Sequence, residues 1–162
     1  EGFALFQDFF SEVQSGKAFS FAKVQENFAS YFPRLYTLKH GWINWSWTVQ
    51  EIERFICAFD EPYAGASTYL HGKRIHLKSC QSDTIDGTFH PFMTGLVYRT
   101  FAGKVFIAAK DGSIIAERIL DEQGIDITAT IRIGQRLYTP QSELESAMMF
   151  SAEYNTEGLK TA

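Results

Sequence analysis

The stretch SYFPRLYTLKHGWINWSWTVQEIERFICAFDEPYAGA, residues 30–66, decides how the rest of the chain is read. Thr48 and Glu51 stand in the S/T-x-x-E spacing of a capping box, in which each side chain satisfies an orphaned amide of a helix's first turn. Behind that cap, Ile52, Phe55, Ile56 and Phe59 recur at helical spacing and predict one apolar stripe. The helix must stop before Pro62, which restricts the residue ahead of it and has no amide to continue the ladder. The chain ahead of this helix reads as helical or coiled, and the chain beyond it reads as strands. The capped helix is therefore the joint of the molecule.

Downstream of the joint the period changes from helical to alternating. Ser67–His71 and Arg74–Ser79 read as strands joined at Gly72-Lys73. In the second, Ile75 and Leu77 alternate with Arg74, His76 and Lys78, which predicts an apolar face and a basic face. Leu96–Thr100 and Lys104–Ala109 form a further pair, and Asp111-Gly112 is the strongest hairpin signal, because the favoured turn needs positive φ at both central residues. Ser113–Leu120, Ile127–Ile133 and Gln135–Thr139 complete the strand candidates. Short strands with tight turns predict an α+β chain: an N-terminal helix and aromatic linker, the capped helix, then a small OB-like antiparallel β-barrel. A terminal helix is expected over 141–151, through Leu144 and Met148, and after it a frayed polar tail.

Upstream, Phe6, Phe9, Phe10 and Val13 lie at helical spacing over residues 3–15, with Gly16 suited to close the helix. A short helix is expected around Ala22 to Ala29. Tyr31, Phe32, Tyr36, Trp42, Trp45 and Trp47 crowd the linker, where aromatics either pin a strap to a domain surface or offer a stacking platform beside Arg34.

The 162 residues suit one ordinary domain, or a compact domain with an extra segment. Hydrophobic content of 45% and charged content of 21% belong to a folded chain. The net charge is −4, distributed as −3 over residues 1–66, +2 over 67–139 and −3 over 140–162, so a nucleic-acid-binding role starts without a strongly basic face. No apolar run approaches the ~20 residues of a membrane span, so no membrane partner is expected. Cys57 and Cys80 have no metal or redox spacing and are expected to be buried free thiols, which a cytoplasmic location suits.

Chemistry-bearing motifs are absent. His40, His71, His76 and His90 have no metal-ligand spacing, so no metal site is expected. Asp60-Glu61 reads as a pair that caps or solvates a turn. Lys73, Arg74 and Lys78 form the basic cluster of the predicted sheet, either a solvated strand face or a set that neutralises phosphates.

The residues that carry a family resemblance lie in the opening stretch. Ser30-Tyr31-Phe32-Pro33-Arg34 resembles the "tyrosine, one residue, proline, basic" segment of formyltetrahydrofolate-dependent formyltransferases. Gly41-Trp42-Ile43-Asn44-Trp45 resembles their G-x-I-D-W motif, with Asn44 where aspartate is usual. Ile56 to Asp60 with Pro62-Tyr63-Ala64-Gly65-Ala66 resembles their I-R-A-x-x-P-x-P-G-A signature, with Cys57 for the arginine and Ala64 for the second proline. Lys110-Asp111-Gly112-Ser113 through Glu122-Gln123-Gly124 resembles a later strand pair.

The resemblance implies a division into 1–30, the tail of an upstream formyl-transferring domain; 31–66, linker and helix; 67–140, the OB-like C-terminal domain; and 141–162, terminal helix and tail. It implies that the family's catalytic asparagine, histidine and aspartate lie upstream, because no position here matches their motifs. The chain, which opens at Glu1-Gly2, is accordingly expected to be the downstream part of a longer protein, its apolar first helix implying a missing partner domain. No cofactor is expected in this chain, formyltetrahydrofolate belonging to the parent. Tyr31, Phe32, Arg34 and Trp45 are the expected substrate-binding residues, for a nucleotide-linked amino sugar whose amine receives the formyl group. The alternatives are a tRNA-acceptor-binding domain, disfavoured by charge, and a stand-alone OB-like module binding nucleic acid through Lys73, Arg74 and Lys78.

Overall fold

The computed structural model describes residues 2–20, 22, 23, 27, 29, 30, 32, 35–155 and 158–160. They fall into two compact units, residues 1–32 and 33–162.

In the first unit, α1 (Gly2–Gln14) follows the predicted spacing and ends ahead of Gly16 at φ 74. None of its residues is buried. Phe6 stacks on Phe10 at 6.1 Å, and Phe9 meets Phe19 at 5.4 Å. The helix expected around Ala22 to Ala29 falls largely outside the described residues.

The second unit opens with a short helix the sequence did not announce, α2 (Thr37–His40), and continues into α3 (Val49–Ala58). The capping box is formed as expected: Glu51 N donates to Thr48 Oγ1, and Thr48 N donates to the Glu51 carboxylate. Ile52, Ile56 and Phe59 are buried, with Phe55 packed partly against them. Cys57 lies on the opposite side and is exposed, correcting the expectation of two buried thiols, whereas Cys80 is buried.

Beyond α3 the main sheet is built from six strands: β1 (Ala66–Leu70), β2 (Lys73–Asp83), β3 (Val97–Phe101), β4 (Lys104–Ala109), β5 (Gly112–Asp121) and β6 (Leu137–Tyr138). They make one antiparallel sheet in the order β3-β4-β5-β2-β1-β6. The sheet curls into an OB-like half-barrel around Ile75, Leu77, Val97, Ile107, Ile114, Ile119 and Leu137, with α3 closing the core from outside. Its two edges meet. Leu137 N donates to Gly95 O at 2.8 Å, Val97 N to Gln135 O at 2.8 Å, and Gly134 N to Val97 O at 2.8 Å. Such pairing satisfies amides that an open edge would expose. Gly95 is obligatory there: its φ is +80, and a Cβ would lie 2.1 Å from the Leu137 carbonyl oxygen.

Four further elements differ from the sequence reading. The β4–β5 hairpin turns at Lys110-Asp111, with Gly112 opening β5, and neither Asp111 nor Gly112 has positive φ. The strand expected over Ile127–Ile133 is instead a 3-10 turn, Thr128–Thr130. Asp126 Oδ1 accepts from both Thr128 N and Thr128 Oγ1, and Thr128 Oγ1 itself accepts from Ile119 N, so side chains take the place of a ladder. β2 runs past Ser79 to Asp83, because Asp60 Oδ2 accepts the Ser79 amide at 2.7 Å where that residue adopts φ 51. After α4 (Gln141–Met149), the expected frayed tail forms a hairpin of β7 (Glu153–Asn155) and β8 (Gly158–Lys160). No helix among the described residues is long and apolar enough to cross a membrane.

Candidate functional site

The G-x-I-x-W segment is laid along β1 as a short parallel addition to the sheet. Ser67 N donates to Gly41 O at 2.6 Å, and Ile43 N donates to Ser67 O at 2.9 Å. Gly41 leaves no room for a side chain, since a Cβ would sit 2.6 Å from Thr37 O. Asn44 Oδ1 accepts from Ser46 N and Ser46 Oγ, an acceptor role that the family's aspartate would fill equally. Trp45 is buried, and its indole N–H donates to Thr68 Oγ1 at 3.0 Å.

Trp42 connects this strap to β2. Its ring stacks on Tyr69 at 5.1 Å, Tyr69 stacks on Tyr138 at 6.0 Å, and the Arg74 guanidinium lies 4.3 Å over Trp42. Arg74 also donates from Nη2 to Leu38 O and from Nε and Nη2 to Ser67 Oγ. Burial lowers its pKa, and burial together with a hydrogen bond to Glu143 raises that of the Tyr69 hydroxyl. Ser67 Oγ, already accepting from Arg74, lies 3.2 Å from His76 Nδ1. His76 is held below its ordinary pKa by burial and then by the neighbouring Arg74 charge.

The basic face expected on β2 is thus not a solvated surface. Lys78 is 3% exposed. Its Nζ donates to Glu61 at 2.8 Å and to Tyr63 O at 2.7 Å, with Asp60 at 3.6 Å. Gly65 permits this, because a Cβ at that position would meet the Lys78 side chain at 2.8 Å. Asp60 and Glu61, expected to cap or solvate the turn, also latch the segment after α3 onto β2: Asp60 Oδ1 accepts from Glu61 N, while Asp60 Oδ2 accepts from Ser79 N. Of the three cluster members, Lys73 is the exposed one.

Tyr31 and Arg34 lie outside the described residues. Phe32 is 84% exposed in the first unit, and Trp45 belongs to the second. Among the described residues no group of three or more His, Cys, Asp or Glu side chains is arranged to hold a metal ion.

Several polar clefts open on the second unit, two of which involve the candidate residues. One, of about 740 Å³, sets Lys73 and Arg74 opposite Asp121 and Glu122 over Ile75 and Ile127. The other, of about 610 Å³, is bounded by Asn44, Trp45, Tyr138 and Thr139, with Lys110 and Arg136 in its walls. Sequence reasoning had not singled out Lys110 and Arg136 as site residues. The available signal was a cation at each tight backbone feature, the Lys110-Asp111 turn and the edge-closing segment after Gly134.

No curated protein sequence matches the chain. The profile of the formyl transferase C-terminal domain matches residues 37–132. That match spans the strap with its G-x-I-x-W segment, the latched α3 and the half-barrel through the 3-10 turn, more than half of the sequence, and the chain belongs to the formyl transferase C-terminal domain family.

Proposed function

We propose that this chain is the substrate-positioning portion of a cytoplasmic formyltransferase that moves a formyl group from formyltetrahydrofolate to the amine of a nucleotide-linked amino sugar. Charge carries the choice of acceptor. Binding a tRNA acceptor arm draws on many phosphate contacts from a basic surface. Here the chain has a formal net charge of −4. Two of the three cations clustered on β2 are engaged internally, Lys78 with Glu61 and Arg74 with Trp42 and Ser67. A small acceptor needs one cleft with a few convergent polar groups, and the second unit offers clefts of that size.

In this reading the formyl-transferring step belongs to the family's catalytic domain, with residues 1–30 as the tail of that domain. The apolar side of α1, with Phe3, Phe6, Phe9 and Phe10 exposed, suits packing against it. Tyr31, Phe32, Arg34 and Trp45 are assigned to the substrate, Trp45 lining the cleft of about 610 Å³.

Isothermal titration of the chain with a nucleoside diphosphate-linked amino sugar, beside a gel-shift titration with methionyl-tRNA, tests the acceptor. Saturable binding of the sugar nucleotide without a tRNA shift is expected. A tRNA shift that weakens steeply with salt, with no heat from the sugar nucleotide, would overturn the reading in favour of the tRNA-acting class.

A further inference from the structure

Lys110 and Arg136 reach one cleft from separate parts of the chain. Lys110 sits in the β4–β5 connection, and Arg136 immediately precedes β6. The cleft of about 610 Å³ lies within the range of small-molecule sites.

Its charge separates it from neighbouring clefts. The cleft at Lys73 includes Asp121 and Glu122, and one at Lys104 and Arg132 includes Glu117 and Asp126. The lining of the Lys110–Arg136 cleft contains no carboxylate. The acids beside it are already engaged: Asp111 Oδ1 accepts from Val49 N at the start of α3, and Glu51 closes the capping box with Thr48. Among the described residues the Lys110 side chain makes no hydrogen bond or ion pair, its charge reaching Glu51 only through space. Arg136 donates Nη1 to Thr94 O at 2.7 Å and lies 5.1 Å over the Phe92 ring. These contacts fix the guanidinium while leaving other N–H donors for a ligand, and planar donors of this kind match phosphate oxygens. Tyr138, an exposed residue whose ring stacks on Tyr69, lines the same cleft.

We propose that this cleft binds the diphosphate of a small nucleotide, with Lys110 and Arg136 on the phosphate oxygens and Tyr138 as the surface against which the base or sugar lies. The assignment deepens the proposed function and rests on it only for the identity of the complete substrate.

Inorganic pyrophosphate is the probe, followed by calorimetry and by backbone amide shifts at residues 110 and 136. Lys110→Glu, at an exposed position, should keep the melting curve and weaken pyrophosphate binding by at least about tenfold, the loss of one charge-assisted phosphate contact. Arg136→Lys retains the charge without the fork and should weaken it less than Arg136→Gln. Lys73→Glu, in the neighbouring cleft, should leave binding unchanged. Equal losses from Lys73→Glu and Lys110→Glu, or shifts confined to other residues, would overturn the assignment. Pyrophosphate bound here without binding of the sugar nucleotide would sustain the cleft and sink the proposed acceptor. Sugar-nucleotide binding that Lys110→Glu leaves intact would do the reverse. A tRNA shift abolished by Lys110→Glu would overturn the small-nucleotide assignment.

Discussion

Replacing Gly95 by alanine should open the seam between the two edges of the half-barrel. The new Cβ would lie 2.1 Å from the Leu137 carbonyl oxygen, whereas ordinary contact begins at 3.4 Å. Relief requires the 134–137 segment to withdraw by more than an ångström. That motion lengthens the Leu137 N to Gly95 O bond and strains the two bonds between Val97 and residues 134–135. It also draws Leu137, buried at 1% exposure, out of the core. Holding alanine in the left-handed region costs about 1–2 kcal/mol, and two or three weakened hydrogen bonds cost about 1 kcal/mol each. The expected loss is therefore about 3–5 kcal/mol, on the order of 10 °C in Tm for a chain of this length. Gly103→Ala supplies the control, since Gly103 also has positive φ (+76) but no atom within 4 Å of its Cβ position. That variant should lose only the conformational part, about 1–2 kcal/mol. Urea unfolding of both, read by tryptophan fluorescence and circular dichroism, gives the difference. Equal destabilisation would refute the reasoning, showing that the seam yields freely and that the Gly95–Leu137 approach stabilises nothing.

Two further outcomes are expected. His76 is held below its ordinary pKa of 6.5, so the native state binds fewer protons than the unfolded one in the window just under that value. Its stabilising contribution is full above pH 6.5 and falls as the pH drops towards the native pKa; the facing charges are Arg74, which disfavours protonation, and Asp121 and Glu122, which favour it. Urea midpoints between pH 8 and about pH 5 should decline on acidification, and His76→Gln should flatten the decline; an unchanged slope in the variant would assign the effect to other groups. With the thiol reagent DTNB, Cys57 should react in the native protein and Cys80 only on unfolding, because Cys57 is exposed and burial pushes the Cys80 thiol up. Rapid native labelling of Cys80 would contradict its place in the core.

The capped helix and the early strands were legible because each rests on local chemistry, a reciprocal side-chain cap and alternation; the Asp111-Gly112 signal marked the β4–β5 hairpin, but the turn falls one residue earlier, at Lys110-Asp111, without positive φ at Asp111 or Gly112. The alternation of Ile127 to Ile133 misled for the same reason. It registers side-chain polarity and is blind to Asp126 and Thr128 satisfying backbone groups that a strand would pair. The fate of β2's cations was hidden too. Arg74, His76 and Lys78 do share a face, as alternation requires, but what covers that face comes from residues 42 and 60–65, whose return across the sheet is a tertiary fact. Cys57 was misjudged within a correctly drawn helix, because membership of a helix does not fix which side a residue takes. The G-x-I-x-W and Pro-Tyr-Ala-Gly-Ala segments carried the family, and in the structure they are the strap along β1 and the turn latched to Lys78. That Lys110 and Arg136 border one cleft was not legible, because their convergence depends on the closed sheet and not on local pattern.

The parallel run of residues 41–43 beside β1 also determines how the barrel bears load from the chain ahead of it. Tension along that strap acts across its two backbone hydrogen bonds to Ser67 together, in shear, so they resist jointly and do not unzip one after the other. The Trp42 ring, in contact with both Arg74 and Tyr69, shares the same load as a side-chain peg. Strain arriving at Gly41 therefore enters the sheet through its β1–β2 hairpin and not through the exposed turns at its far edge.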